Sequence, residues 1–569
     1  MNQLTVIDFF CGAGGFSEGF RQQGFKILKG YDNWQPAIDT FNHNFKVESS
    51  VKNILDFKDS IEEINLLPDT DVIIGSPPCV SFSSSNISGK ADKQSGVTLT
   101  EIFLRIVAVK KFQKNSTLKA WFMENVANSR HYLNDYYTFK DLGLAEWAKE
   151  NRLSPEKKAI ILEGNQPIIN SADYGSFQSR KRVISGEIIK VGKLVIPVPT
   201  HSEDEINDLP KWNSLSQIKN FLPNPASKEI KLFVQDLSYP EININTLELT
   251  DHFYDSGLYE SEWKQSRRLK INHPYMGRMS FPENEDKPSR TITATKSGTS
   301  REALIYKSEY KRKGDGEYRT PTVREAASIM GFPITFQFLG SVNTKWRLVG
   351  NAVCPSISRA FADKLRETLK LEKLEKLVLE TTPDLYGVQN LNTFKEKIFD
   401  NPPKRVKNSR CRTHPIKEGN ITVTLSNYNI EKNSEVSRKW FTSIQYGTGE
   451  GFPVQNIADN YFLEIESLVA NLKNGKKFLE IINNGFSEKI GSSTELQLLY
   501  ENQKSTDTLI EPVELVEELL KNIIEKYQPK SQNFEQKDII MFSNKSKIPT
   551  KQIFALYAIN KISTLANNK

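Results

Sequence analysis

Cys79 follows two prolines at the end of a short apolar run, Asp-Val-Ile-Ile-Gly-Ser-Pro-Pro-Cys over residues 71 to 79. Pro77 and Pro78 fix φ and withhold amide hydrogens from any strand ladder, so the loop that presents this thiol is stiff enough to hold a nucleophile in place. Taken alone, the residue has a second reading as one more small buried hydrophobe. Another strand-like segment ends in Met123-Glu124-Asn125-Val126 and offers a carboxylic acid, whose proton affinity partial burial would raise. A third carries Gln178, Arg180 and Arg182 at alternating positions, which turns both guanidiniums to one side of a strand. The plainer alternatives are an exposed glutamate and a pair of solvated edge-strand charges.

A separate constellation suits a ligand. Asp8-Phe9-Phe10-Cys11-Gly12-Ala13-Gly14-Gly15-Phe16-Ser17 stands where a first strand turns into a first helix. Glycines there let the backbone approach a bound molecule, and an acidic residue some 20 positions on can take ribose hydroxyls; Asp32 stands 24 residues after Asp8. A dinucleotide is the natural rival, but the third glycine of its fingerprint would fall on Ser17. The crowding phenylalanines suit an adenosyl ligand without a pyrophosphate better. A plain tight turn is the remaining reading.

These residues need a scaffold. Through the first third, strand-like runs (TVIDFF, DVIIG, KAWFMENV, KRVISGEII) alternate with helical periodicity, which predicts a mostly parallel sheet with helices on both faces. Apolar residues at 99, 102, 103, 106 and 109 form one helical face. Residues 196–318 are interrupted by Pro, Asn and charges and read as an inserted irregular domain; 319–382 return to helical order, with Ile357, Phe361 and Leu365 on one face. Residues 383–569 read as a separate α+β unit. At 569 residues the chain is too long for a single core. The 76 Lys+Arg against 69 Asp+Glu give +7, compatible with a polyanionic partner without demanding one. Four scattered cysteines with no CxxC pair suggest neither a disulfide framework nor a zinc site, so no metal is expected. No leader and no membrane-length apolar stretch is apparent, and the expected location is the cytoplasm.

Seven blocks, DFFCGAGGFSEGF, GSPPCVSFS, MENV, NSADYGSFQSRKRV, PSRTITA, TVREAASIMGFP and GNAV, occur in an order that resembles the cytosine-5 DNA methyltransferases of bacterial restriction-modification systems. The resemblance spans about residues 4 to 370. It implies a Rossmann-like domain (1–195 with 319–382) that uses S-adenosylmethionine as methyl donor, a target-recognition domain over 196–318, and duplex DNA as partner. Cys79 would add to carbon 6 of an extruded cytosine and Glu124 would act on ring nitrogen 3; Arg180 and Arg182 would line the catalytic pocket, where a guanidinium can hold the extruded nucleotide's phosphate or carbonyl and favour the Cys79 thiolate. The donor would meet Phe9, Gly12, Gly14, Asp32, Asn53, Pro77, Leu99, Asn351 and Val353. Asn33 stands where the family often has a bulky apolar residue, with Trp34 one place later, and Asn53 where it usually has an aspartate. The helix carrying Ser356 to Leu365 would pack beside the first strand. Lys264, Arg267, Arg268 and Lys270 would grip phosphates, and Thr291-Ile292 would lie near the extruded base.

Rival functions are an amino-group methyltransferase, which would have an aromatic in place of Cys79, a tRNA cytosine-5 methyltransferase, and an inactive binding module. Residues 384–569 could add a DNA- or partner-binding domain, for which Lys404, Arg405, Lys407, Arg410 and Arg412 argue, or a fused endonuclease, which no acidic pair followed by ExK supports. A separately encoded restriction endonuclease is the further expected partner.

Overall fold

The computed structural model describes residues 3–78, 93–205, 208–226, 232–271, 277–309 and 312–392, then 413–418, 421–429, 434–435, 439–446, 454–456, 462–502, 505–519, 525–527, 533–535 and 547–569. Cys79, Cys411 and the basic residues Lys404, Arg405, Lys407, Arg410 and Arg412 lie outside them. The chain divides into two compact units, Met1–Lys404 and Arg405–Lys569. Among the described residues no helix is long and apolar enough to cross a membrane.

In the first unit, β1 (Thr5–Phe9), β2 (Lys26–Tyr31), β3 (Val72–Gly75) and β4 (Ala120–Val126) are parallel, in the order β2-β1-β3-β4. Their apolar runs are buried on both faces: Val72 and Ile74 join one core, Ile73 the other. The helix Lys93–Phe112 covers the second face. It spans the expected 99–109, and its Leu104, Val107 and Ala108 are as buried as Phe103 because the hairpin of β5 (Tyr136–Thr138) and β6 (Lys158–Ile161) joins the same core. Beyond β4 the sheet reverses. β8 (Lys181–Ile188) pairs antiparallel with β4, Val126 opposite Arg182, and β7 (Ile168–Asn170) pairs antiparallel with β8. The parallel pattern therefore holds for four strands. The reversal brings the start of β8 to the edge where β1, β3 and β4 end.

The other face is covered by the helix Gly15–Gln22 and, from far along the chain, the helix Pro355–Thr368. The late helix packs on the early one. A Cβ on Gly19 would lie 2.3 Å from the Arg359 nitrogen, and the Ser358 hydroxyl donates to the Phe16 carbonyl. Residues 196–318 form short two-stranded pieces, the helix Leu215–Phe221 and the helix Glu260–Ile271. The insert is less independent than its composition suggests, because Leu215, Val234, Tyr239, Leu249 and Ile292 belong to the catalytic domain's core. Its helix exposes Lys264, Arg267 and Arg268, but Lys270 is buried against Glu283 (2.9 Å) and the Ala303 carbonyl (2.6 Å) and is not free to grip a phosphate.

The boundary expected after residue 382 falls inside the first unit. Asp384 pairs with Lys46, the Gln389 carbonyl accepts from Lys345, and Asn390 and Asn392 accept from the backbone nitrogens of Asp251 (3.2 Å), His252 (2.9 Å) and Phe253 (3.0 Å). Asparagines in a polar strap do this work, and a hydrophobic-periodicity reading passes over them. A chain stopped after residue 383 should be less stable than one stopped after Lys404 by roughly 4 kcal/mol, from the four lost hydrogen bonds, with the exposed Asp384–Lys46 pair adding little. Denaturant melts of the two truncations measure the difference, and equal midpoints would show that the strap carries no load.

The second unit has a four-stranded antiparallel sheet (Thr413–Glu418, Ile421–Ser426, Phe441–Tyr446, Val454–Asn456). The helix Thr550–Asn568 packs into it, Phe554, Leu556 and Ile559 sharing a core with Val423, Leu425 and Ile444.

Candidate active site

A cavity opens at the carboxyl ends of β1, β3 and β4, the usual ligand position in an open α/β sheet. One wall is the loop after β1. Phe10 and Gly12 adopt left-handed backbone (φ 55° and 54°), which curls the loop so that the Gly12 amide donates to Asp32 Oδ2 at 3.0 Å. The Trp34 amide donates to Asp32 Oδ1 at 2.9 Å. Burial pushes the Asp32 carboxyl above its ordinary range, and the amides of Gly12, Trp34 and Asn33 oppose that rise.

Most expected donor residues line this cavity: Gly12, Asp32, Asn53, Pro77, Leu99, Asn351 and Val353. Phe9 and Gly14 do not. Phe9 is fully buried on the opposite side of the strand, stacked on Tyr31 with centroids 4.8 Å apart, and Phe10 takes the cavity position. Gly14 caps the helix Gly15–Gln22, and a Cβ there would lie 2.2 Å from the Phe45 ring, so packing explains this glycine. Asn53 Oδ1 accepts from the Leu55 amide at 3.0 Å and caps a single turn, with one lone pair left for a ligand. Asn33 and Trp34 both line the wall, and the Arg347 guanidinium lies 4.3 Å from the Trp34 ring centre. Arg347 was not foreseen. Only the return of the helix Val342–Asn351 puts it beside Trp34.

Asp8 was noted only as the start of the loop, yet it lines the cavity and is fully buried. Ser17 donates to Oδ2 at 2.7 Å, while Oδ1 has no hydrogen-bond partner among the described residues. Burial, reinforced by the Asp32 charge and opposed by Ser17, pushes its carboxyl up to about 8. The folded state thus keeps a proton that the unfolded chain releases near pH 4, so stability falls as pH rises from about 4 to 8, by up to ~1.4 kcal/mol per pH unit. Asp8→Asn should flatten that slope. Melts of both chains from pH 5 to 8.5 check it, and parallel curves would refute it.

The opposite wall holds Glu124, Arg182 and Pro78. Glu124 is buried near the end of β4; the Ser76 hydroxyl donates to Oε2 at 3.0 Å and Arg182 Nε pairs with Oε1 at 2.9 Å. The carboxylate is thus oriented from both sides. Asn125 Nδ2 reaches the Pro77 carbonyl at 3.3 Å and ties the end of β4 to the proline loop. Pro78, the residue bonded to Cys79, lines the same cavity. Arg180 lines it too, but its guanidinium donates to the carbonyls of Ile292, Gly350 and Ala352. Gln178, predicted to share that strand, is buried with its amide nitrogen on the Met330 sulfur.

An open α/β sheet with a glycine loop, Asp32 and a buried Glu-Arg pair at one cavity is a Rossmann-like architecture of the S-adenosylmethionine-dependent methyltransferase type. The family model for C-5 cytosine-specific DNA methylases matches residues 4–367, and the chain belongs to that family. It is therefore a DNA (cytosine-5-)-methyltransferase. Among its relatives, "Type II methyltransferase M1.HphI" of Haemophilus parahaemolyticus is 28% identical over 372 residues, covering 63% of this chain and 86% of that protein. "Type II methyltransferase M.HgiDI" of Herpetosiphon aurantiacus is 28% identical, covering 66% and 98%. "Type II methyltransferase M.NgoFVII" of Neisseria gonorrhoeae is 29% identical, covering 67% and 92%.

Proposed function

We propose that the chain methylates carbon 5 of a cytosine extruded from a specific duplex sequence, by a covalent route through Cys79, as the modification half of a type II restriction-modification pair whose endonuclease is encoded separately. The observation that carries the reading is a single cavity lined by Gly12, Asp32, Pro77, Asn351 and Val353 on one side and by Glu124, Arg182 and Pro78 on the other. The unpartnered Oδ1 of Asp8 leaves a hydrogen-bonding group in the first of these regions for a polar ligand to meet. S-adenosylmethionine, when bound there, supplies a methyl group on a positively charged sulfur.

Carbon 5 of cytosine is a poor nucleophile. Addition of the Cys79 thiolate to carbon 6, while Glu124 protonates or hydrogen-bonds ring nitrogen 3, converts the ring into an enamine-like nucleophile at carbon 5. Once carbon 5 has taken the methyl group, ring nitrogen 3 returns its proton to Glu124, and loss of the carbon 5 proton to a base restores the carbon 5–carbon 6 double bond and expels Cys79 as thiolate. Extrusion of the base exposes these ring faces and costs a few kcal/mol. Arg182 keeps Glu124 turned to the cavity throughout, by the ion pair already formed.

The test is duplex DNA carrying 5-fluorocytosine at the modified position, incubated with the full chain and S-adenosylmethionine. The fluorine cannot leave as a cation, so a stable adduct mapping to Cys79 is expected. An active preparation that methylates ordinary duplex DNA but yields no adduct would exclude the covalent route, and methylation of tRNA in preference to duplex DNA would overturn the substrate assignment.

A further inference from the structure

We propose that Arg180 is a positioning residue, which fixes the turn carrying Asn351 and Val353 in the donor region and does not hold the nucleotide. The proposal rests on the donor-site reading above. Arg180 is 4% exposed and stands just before β8. Its Nη2 donates to the Gly350 carbonyl at 3.1 Å and to the Ala352 carbonyl at 3.3 Å. Those carbonyls flank Asn351, so one nitrogen sets the direction in which the turn presents it. The helix Val342–Asn351 ends here, and carbonyls in a last turn lack partners within their own helix. A buried guanidinium meets that need and suits the negative end of the helix.

The third bond explains why an arginine is needed. Nη1 donates to the Ile292 carbonyl at 3.0 Å, in a segment that lies along residues 177–180: Ser289 exchanges backbone hydrogen bonds with Phe177 (2.7 Å) and Ser179 (2.9 Å). That segment also abuts the late helix. A Cβ on Gly350 would lie 2.4 Å from the Thr293 carbonyl oxygen, to which Trp346 Nε1 donates at 3.0 Å. The guanidinium is therefore shared by the start of β8, the end of the insert and the donor turn. A planar fork can serve acceptors in three directions, whereas an ammonium on a flexible stem is a point charge. Arg182, two residues on, is directed to Glu124 instead.

Calorimetric binding of S-adenosylhomocysteine to the full chain without DNA separates the roles. Arg180→Lys should bind about tenfold more weakly than wild type and Arg180→Met about a hundredfold, one and two hydrogen bonds' worth. With saturating duplex, kcat/KM for S-adenosylmethionine should fall more than kcat, and Arg180→Lys should recover part of the loss. If Arg180→Met does not fold, the Arg180→Lys affinity decides by itself. Folded variants that bind S-adenosylhomocysteine like wild type but lose duplex affinity would overturn the proposal and return Arg180 to the nucleotide. A wild-type chain that binds no S-adenosylhomocysteine would sink the donor-site reading and this proposal with it.

Discussion

A Cys79→Ser chain should lose methyl transfer by roughly ten-thousandfold or more while still binding duplex DNA and S-adenosylhomocysteine. A thiol yields a useful thiolate fraction near neutral pH and a serine hydroxyl does not, so the substitution removes the attacking group while changing volume little. The loop should keep its course, since Pro77 and Pro78 restrict it and Asn125 holds the Pro77 carbonyl. Single-turnover methylation, with duplex binding by anisotropy, measures both halves of the expectation. Near-normal turnover would remove Cys79 from the chemistry. Loss of duplex binding along with turnover would show that the thiol's role is to shape the loop.

Glu124→Gln should lower the rate of methyl transfer by ~100- to 10,000-fold, the range lost with a general acid. The amide keeps the shape of the carboxylic acid but cannot pass a proton to ring nitrogen 3. It also turns an NH2 toward Ser76 or Arg182, where one oxygen now accepts from the Ser76 hydroxyl at 3.0 Å and the other is ion-paired with Arg182 at 2.9 Å. Donor affinity should be retained, because Asp32, Asn53 and Asn351 belong to other chain segments of the cavity wall. Rapid-quench rates beside calorimetry with S-adenosylhomocysteine test the separation. A parallel loss of donor affinity would mean that the Glu124–Arg182 pair supports the cavity wall and is not an acid acting on the base.

Much of the cavity lining was legible as residue types in order. Gly12, Pro77, Pro78, Glu124 and the alternating arginines Arg180 and Arg182 meet there, and the apolar runs before them mark where strands end. Local packing was not legible. Two phenylalanines follow each other after Asp8, and the strand alternation does not decide which meets a ligand; the left-handed turn at Phe10 does, leaving Phe9 stacked on Tyr31. Gly14 reads as a ligand glycine until Phe45 is seen above it. Lys270 looks like part of a basic run until Glu283, 13 residues on, takes its charge into the core. The strap over residues 384–392 has no hydrophobic period, because asparagine side chains on backbone groups supply many of its contacts.

By itself the sequence determined the class of fold and the order of its blocks, and it proposed the groups that could react, since short apolar runs, prolines and glycines constrain the backbone locally wherever they occur. Which of those groups face one another was decided by tertiary structure. The reversal of β8 against β4 sets Arg182 beside Glu124, and the return of the helix Val342–Asn351 places Asn351 and Arg347 on a wall begun more than 300 residues earlier. Contacts of that range depend on how the sheet closes and on what covers its faces, and no local preference of the chain encodes them.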